Sequence, residues 1–196
     1  TRIKAGYAYT VNWNATNQVW NQDGGANSSI TSTHHSNLRT FYIKAMLSSL
    51  PTLSHMITRN PNVYKSSVCP RCKITTETNE HIWTCNQSIQ IRNNIFDKFP
   101  NKLANAILKH ITLDPNDITQ QCNNFCYNAK FLNQPHYNSV AIGRKPGYID
   151  AFNGFVPEEL VTFIRQHILS YQTAANTAAQ LIHWISLKGY KKIWIT

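Results

Sequence analysis

Residues 157–189 read PEELVTFIRQHILSYQTAANTAAQLIHWISLKG and carry the strongest helical pattern of the chain. Pro157 suits the first turn of a helix, and Glu158 and Glu159 suit the positive end of the helix dipole. The apolar stripe that follows at helical spacing consists of Leu160, Phe163, Ile164, His167, Ile168 and Tyr171. The Ala-rich continuation to Gly189, a candidate C-cap, predicts either one long helix or a pair of helices.

Other helical segments precede this region. From Asn37 apolar residues recur every three or four positions until Pro51 stops the run, and Thr52 is placed to cap a short helix to about Arg59. Similar patterns predict helices over about 101–112 and 116–129, whereas 133–155 is rich in Gly and Pro and is expected to be irregular. The predicted fold class is therefore mainly α, a helical domain.

The N-terminal segment has a different composition. Tyr7, Tyr9, Val11 and Trp13 alternate with smaller or polar residues, which predicts a short β-hairpin with a second strand near Val19. Residues 21–36 lack periodicity and have the composition of a linker. We therefore divide the chain into an N-terminal segment and linker, residues 1–33, and an α-helical domain, residues 34–196.

The chain of 196 residues is strongly basic, with a formal net charge of +10 although only 14% of its residues are charged. Such a balance points first to nucleic acid as a partner and second to an anionic membrane surface. No window reaches the roughly 18 consecutive apolar residues of a membrane span, and no secretory signal is present near Thr1. We expect an intracellular protein, nuclear rather than cytoplasmic, and a fragment of a longer polypeptide, because the chain begins without Met.

A cluster of cysteines and a histidine occupies 17 residues of the chain. Cys69 and Cys72 are separated by two residues, the spacing at which a tight turn presents two thiolates to one metal ion. His81 and Cys85 are four residues apart and share one face of a helix, for which Asn79 is the expected N-cap. The four side chains predict one structural Zn²⁺, because protein ligands fill all of its positions. The predicted fold is therefore a helical domain, residues 34–196, with a small Cys3His zinc knuckle at 69–85.

Other interpretations of the cysteines stay open at this point. A Cys-x-x-Cys pair is also a redox motif, but the residues before Cys69 lack the strand pattern that such a motif follows. Cys122 and Cys126 are either half of a second site, with His110 or His136, or two buried apolar thiols on a helix. His167 and His183 lie on apolar stripes and are expected to be hydrogen-bonded core residues.

The zinc segment resembles the zinc-binding domain that follows the reverse transcriptase in non-LTR retrotransposons. The resemblance covers about residues 37–90: an amphipathic helix, a Pro break, an Asn-Pro turn and a Tyr, Cys69-Pro-Arg-Cys72, and then Glu80-His81-Ile82-Trp83-Thr84-Cys85. It implies that Cys69, Cys72, His81 and Cys85 bind the metal. It also implies that Ile82 and Trp83 pack the ligand helix on the preceding helix, and that the domain is associated with nucleic acid.

No catalytic pattern is found among the nine acidic residues, and Asp150 near Arg144 and Lys145 is the one place a nuclease site is considered. We therefore expect no enzymatic activity. Basic residues cluster near the zinc turn, in a Gly/Pro-rich loop and near the C-terminus, beside Tyr190 and Trp194. The candidate nucleic-acid-binding residues are Arg59, Lys65, Arg71, Lys73, Arg144, Lys145, Lys188, Lys191 and Lys192. RNA is favoured over duplex DNA, and the alternative function is a protein-interaction module with a purely structural zinc.

Overall fold

The computed structural model describes residues 10–21, 33–132 and 147–195. Within these ranges the chain is mainly α-helical, and its extended pairings are isolated bridges between Val11 and Pro157 and between Val68 and Thr76. This confirms the predicted fold class. In chain order the helices are α1 (Trp13–Trp20), α2 (Thr33–Met46), α3 (Leu53–Arg59), α4 (His81–Thr84), α5 (Ile89–Asp97), α6 (Phe99–Leu108), α7 (Pro115–Asn128), α8 (Gly147–Phe152), α9 (Glu158–His167) and α10 (Tyr171–Gly189).

The core is built around α10, which contacts α1, α5, α6, α8 and α9. The buried face of α10 begins with small side chains, which let neighbouring helices approach closely: Ala174, Ala175, Ala178 and Ala179. Larger aliphatic side chains follow: Leu181, Ile182 and Ile185. The chain between α9 and α10 breaks at Ile168, and Ser170 Oγ accepts a hydrogen bond from Thr173 N at 3.2 Å as the cap of α10. Of the two expected arrangements, the structure has the pair of helices.

The C-terminal end of α10 differs from the prediction that Gly189 is a C-cap. Gly189 has right-handed helical backbone angles, and the helix continues as a π-helical turn over Tyr190–Trp194. A Cβ atom at Gly189 would collide with the ring of Phe152 on α8, which is fully buried. Gly189 is therefore required for the close packing of α8 on α10 and does not end the helix.

Three helices were not expected from the sequence: α1, which replaces a predicted strand, α5 and α8. Residues 147–152, part of the segment predicted to be irregular, form α8, and all six are buried; residues 133–146 lie outside the described ranges. Helix α5 follows the zinc segment after a 3₁₀ turn over Asn86–Ser88. Its apolar stripe is short, because Ile91 and Ile95 span only about one helical turn. The pattern was therefore too weak to predict this helix.

The predicted N-terminal hairpin is wrong for the residues that the structure describes. The expected second strand near Val19 is part of α1, because Asn12 Oδ1 accepts a hydrogen bond from Ala15 N at 2.8 Å and caps a helix. Ala15 and Val19 are fully buried in the core, and α1 packs on α10. The expected first strand lies largely outside the described residues, as do residues 22–32, so the domain division at residue 33 stays a prediction.

Candidate metal centre

The first two cysteines lie on a short hairpin-like turn. Cys69 N donates to Thr75 O at 2.8 Å, and Glu77 N donates to Ser67 O at 2.7 Å, so the chain pairs with itself on both sides of the turn. Lys73 N donates back to Cys69 O at 2.8 Å, and Lys73 adopts a positive φ of 56°. This left-handed conformation of Lys73 is uncommon for a residue other than glycine, and it tightens the turn. The turn can then direct the thiols of Cys69 and Cys72 toward one metal ion.

Backbone N–H groups stabilise the thiolate of Cys72. The amides of Thr75 and Ile74 donate to its sulfur and lower the pKa of Cys72 to about 6. Burial instead raises the pKa of Cys85, and the neighbouring Cys69 adds to this effect. A bound divalent cation would overcome that penalty, because a coordinating thiol loses its proton.

The other two ligand positions lie at the two ends of α4: His81 is its first residue, and Cys85 follows its last residue. Its first amide, His81 N, donates to Thr78 Oγ1 at 3.0 Å, and Cys85 N closes the turn by donating to His81 O at 2.7 Å. The prediction that Asn79 caps this helix is therefore wrong. Asn79 instead accepts from Leu50 N at 3.0 Å and donates to Ser48 O at 2.7 Å, which ties the loop between α2 and α3 to the metal segment.

The four side chains meet at one point, as the sequence predicted. The ligand atoms of Cys69, Cys72, His81 and Cys85 all lie within 4.8 Å of one another. Cys69 Sγ is 4.0 Å from Cys85 Sγ, and Cys72 Sγ is 3.4 Å from His81 Nε2. Tetrahedral zinc with ordinary bond lengths requires sulfur–sulfur edges of about 3.8 Å and sulfur–nitrogen edges of about 3.5 Å. The donor set therefore fits one tetrahedral metal ion.

The ligand helix is joined directly to the hydrophobic core. Trp83, fully buried between the two α4 ligands, stacks on Phe152 with ring centroids 5.0 Å apart. Its ring also meets Phe41 of α2 edge-on at 6.1 Å, in agreement with the expected packing on the preceding helix. Arg92 of α5, only 3% exposed, donates to Trp83 O at 2.5 Å and lies over the ring of Tyr148. A metal ion held here would therefore stabilise the core itself.

The candidate nucleic-acid-binding residues fall into separate groups. Six of them are exposed: Arg59, Lys65, Lys73, Lys188, Lys191 and Lys192. Arg71 is half-buried and donates to Ser88 Oγ at 3.1 Å, whereas Arg144 and Lys145 lie outside the described residues. Of the aromatic residues expected beside the C-terminal lysines, Tyr190 is buried and not free to stack on bases, whereas Trp194 is half-buried. Tyr190 is 8% exposed with its ring 5.0 Å from Phe41, and the Trp194 ring also packs on Phe41, at 6.3 Å.

The other candidate cysteines and histidines that the structure describes lie outside the Cys3His cluster. Burial raises the pKa of both Cys122 and Cys126 to about 12, and within the described ranges no second group of three metal-binding side chains is found. His110 is exposed, and His136 lies outside those ranges. His183 Nδ1 is 3.1 Å from Tyr42 Oη, a hydrogen bond that agrees with the expected core role.

Two further residues were singled out by the sequence. Asp150, the residue considered for a nuclease, is buried in α8. His167 is half-buried, and its Nε2 atom has no hydrogen-bond partner, so the expectation of a hydrogen bond at that nitrogen is not met. Burial lowers the pKa of His167.

A comparison of the chain with protein-family models, curated proteins and solved structures found no match. In the part of the chain that the structure describes, no helix has both the length and the apolar character needed to cross a membrane. The metal centre therefore provides the most direct approach to function.

Proposed function

We propose that this chain is a zinc-stabilised basic domain that binds nucleic acid and catalyses no reaction itself. The observation that carries the proposal is the combination of a closed Cys3His centre with exposed cations near it and along the end of α10. Zinc is the ion that best suits three thiolates and one imidazole in a closed tetrahedral site. With three thiolates and Zn²⁺ the site carries a charge of about −1, so the chain stays strongly basic.

The metal is tested first, by elemental analysis of the purified chain. We expect about one zinc ion per chain in the wild type and little in Cys72→Ser, whose side chain is one of the four ligands. Cys126→Ser is the matched control, because Cys126 lies in α7 outside the cluster and should leave the zinc content unchanged. Equal metal content in all three proteins, or iron instead of zinc, would contradict the assignment.

Nucleic-acid binding is tested by fluorescence anisotropy with a labelled single-stranded RNA over a range of salt concentrations. Phosphate contacts release counterions, so log K should fall with log salt with a slope of about −2 to −4, the value for roughly three to six contacts. Lys65→Gln with Lys73→Gln removes two exposed cations near the metal turn. Lys109→Gln with Lys130→Gln is the control: it removes two exposed cations from the segments that follow α6 and α7 and should bind like the wild type.

A protein-interaction module is the second candidate, because apolar side chains are exposed near the metal turn. Val63 is 64% exposed and Ile74 is 83% exposed. An apolar interface depends little on salt. The absence of RNA binding, or RNA affinity independent of salt, would therefore refute the first candidate and favour the second.

The retrotransposon origin is also a proposal. Its support is the order of elements along the chain that the resemblance requires: α2, the Pro51 break, the Cys69–Cys72 turn and α4. Reverse-transcriptase motifs in the coding sequence upstream of this segment would support it. We also propose a nuclear location, which imaging of a fluorescent fusion would test.

A further inference from the structure

A groove between α5 and α10 brings together polar, aromatic and cationic side chains that are far apart in the sequence. Its volume is about 440 Å³, and two rows of side chains spaced four residues apart face each other across it. One row, on α5, consists of Gln90, Asn94 and Lys98. The other, on α10 and the π-helical turn, consists of Trp184, Lys188 and Lys192. We call this feature the lysine groove.

The floor of the lysine groove is apolar. Ile91 and Ile95 of α5 line it, and Ile95 is only 5% exposed. At one end the indole of Trp184 is partly buried, and Lys102 Nζ of α6 lies 5.6 Å from its ring centroid. The groove therefore has an aromatic wall and an apolar floor at the same place as a group of ammonium ions.

The charged side chains that line the groove are all lysines. Three lysines line it, Lys102 adds a fourth cation at the Trp184 end, and the lining residues that the structure describes include no carboxylate. Cations that converge in a cleft with an apolar floor focus a positive potential and attract anions. The two amide side chains, Gln90 and Asn94, supply both donors and acceptors for hydrogen bonds.

The size of the groove selects among anionic partners. Its volume lies in the range of sites that enclose one small ligand, which corresponds to about one or two nucleotides and is too small for a duplex. A nucleotide pairs phosphate charge with an aromatic base, and aromatic side chains bind bases by stacking. We propose that the lysine groove binds single-stranded nucleic acid, with phosphates at Lys98 and Lys188 and a base against Trp184. This inference rests on the proposed function and names its binding site.

The first test compares two double variants of equal charge. Lys98→Gln with Lys188→Gln removes two groove cations, whereas Lys109→Gln with Lys130→Gln removes two exposed cations elsewhere. Affinity for a fluorescein-labelled oligouridine of 12 residues is measured by anisotropy at several salt concentrations. The groove variant should show a salt slope smaller in magnitude by about 1.4, because each lost phosphate contact removes about 0.7. The control should keep the wild-type slope.

The second test concerns the base. Trp184→Leu should weaken oligouridine binding by about fivefold or more at any salt concentration, because a stacked base is lost. Trp184→Phe keeps an aromatic face and should retain most of the affinity. Far-UV circular dichroism establishes that both variants are folded, since the Trp184 side chain is partly buried.

The outcomes separate the two proposals. If the wild type fails to bind oligouridine, both the proposed function and this inference are wrong. If the wild type binds but the groove variant matches the control, the nucleic acid lies elsewhere on the surface and only the groove is refuted. Two other results would also refute the lysine groove as the binding site. One is equal affinity of the wild type for oligouridine and for a duplex of the same length, and the other is equal binding by Trp184→Leu and Trp184→Phe.

Discussion

Zinc should stabilise the whole domain, because two of its expected ligands, His81 and Cys85, flank residues of the hydrophobic core. Ile82 and Trp83, between the ligands of α4, are 4% and 0% exposed, so the site cannot open without disturbing the packing on Phe152. One ion bound only by the folded chain raises the free energy of unfolding by about 1.4 kcal/mol for each tenfold increase in free zinc above its dissociation constant. For a chain of this length, this corresponds to about 3–6 °C in Tm per decade.

The assay is urea unfolding followed by far-UV circular dichroism in zinc buffers that span several decades of free metal. A chelator alone gives the metal-free limit. Cys72→Ser should abolish the dependence on zinc, whereas Cys126→Ser should keep it, because its thiol lies outside the cluster. A wild-type stability that does not change with free zinc, or that is unaffected by the chelator, would refute the link between the metal centre and the core.

Three further predictions concern packing, thiol chemistry and the loop before the metal segment. Gly189→Ala should lower the free energy of unfolding by about 1–3 kcal/mol in urea, although alanine favours helices, because the methyl group meets the Phe152 ring; a stabilised variant would contradict this packing. Cys122 and Cys126, whose pKa values burial raises to about 12, should resist iodoacetamide at pH 8 in the folded chain, since only about one thiol in ten thousand is ionised. Alkylation should speed up toward pH 12 or on unfolding, and mass spectrometry that finds rapid modification at pH 8 would show that these thiols are not buried. Asn79→Ala should cost about 1–3 kcal/mol, measured by the same urea unfolding, because it removes the hydrogen bonds of Asn79 with Leu50 N and Ser48 O in the α2–α3 loop; an unchanged midpoint would show that the loop is held by other contacts.

The metal centre was predictable because its determinants are local. A Cys-x-x-Cys turn and a His and Cys at helical spacing lie within 17 residues, so short-range geometry nearly fixes which atoms can meet. The cap of the ligand helix was less predictable. Thr78 and Asn79 are both good capping residues, and Asn79 has its partners in a loop about 30 residues away.

Helix α1 shows why an alternating pattern can mislead. Val11 does pair with Pro157 as an extended residue, but the chain turns into a helix at Trp13, where Asn12 caps it. Ala15 and Val19 of this helix then pack in the core, where α1 contacts α10. Short alternation is weak information, and a distant helix determined which conformation buried more apolar surface.

The sequence alone established a basic, mainly helical chain with one Cys3His cluster, because composition and short-range periodicity carry that information. Tertiary structure alone determined the lysine groove. The basic C-terminal cluster marks Lys188 and Lys192 in the sequence, but nothing there pairs them with Lys98, which is 90 residues from Lys188. The packing of α5 against α10 creates the groove, since long-range contacts fix which exposed faces of two helices come together.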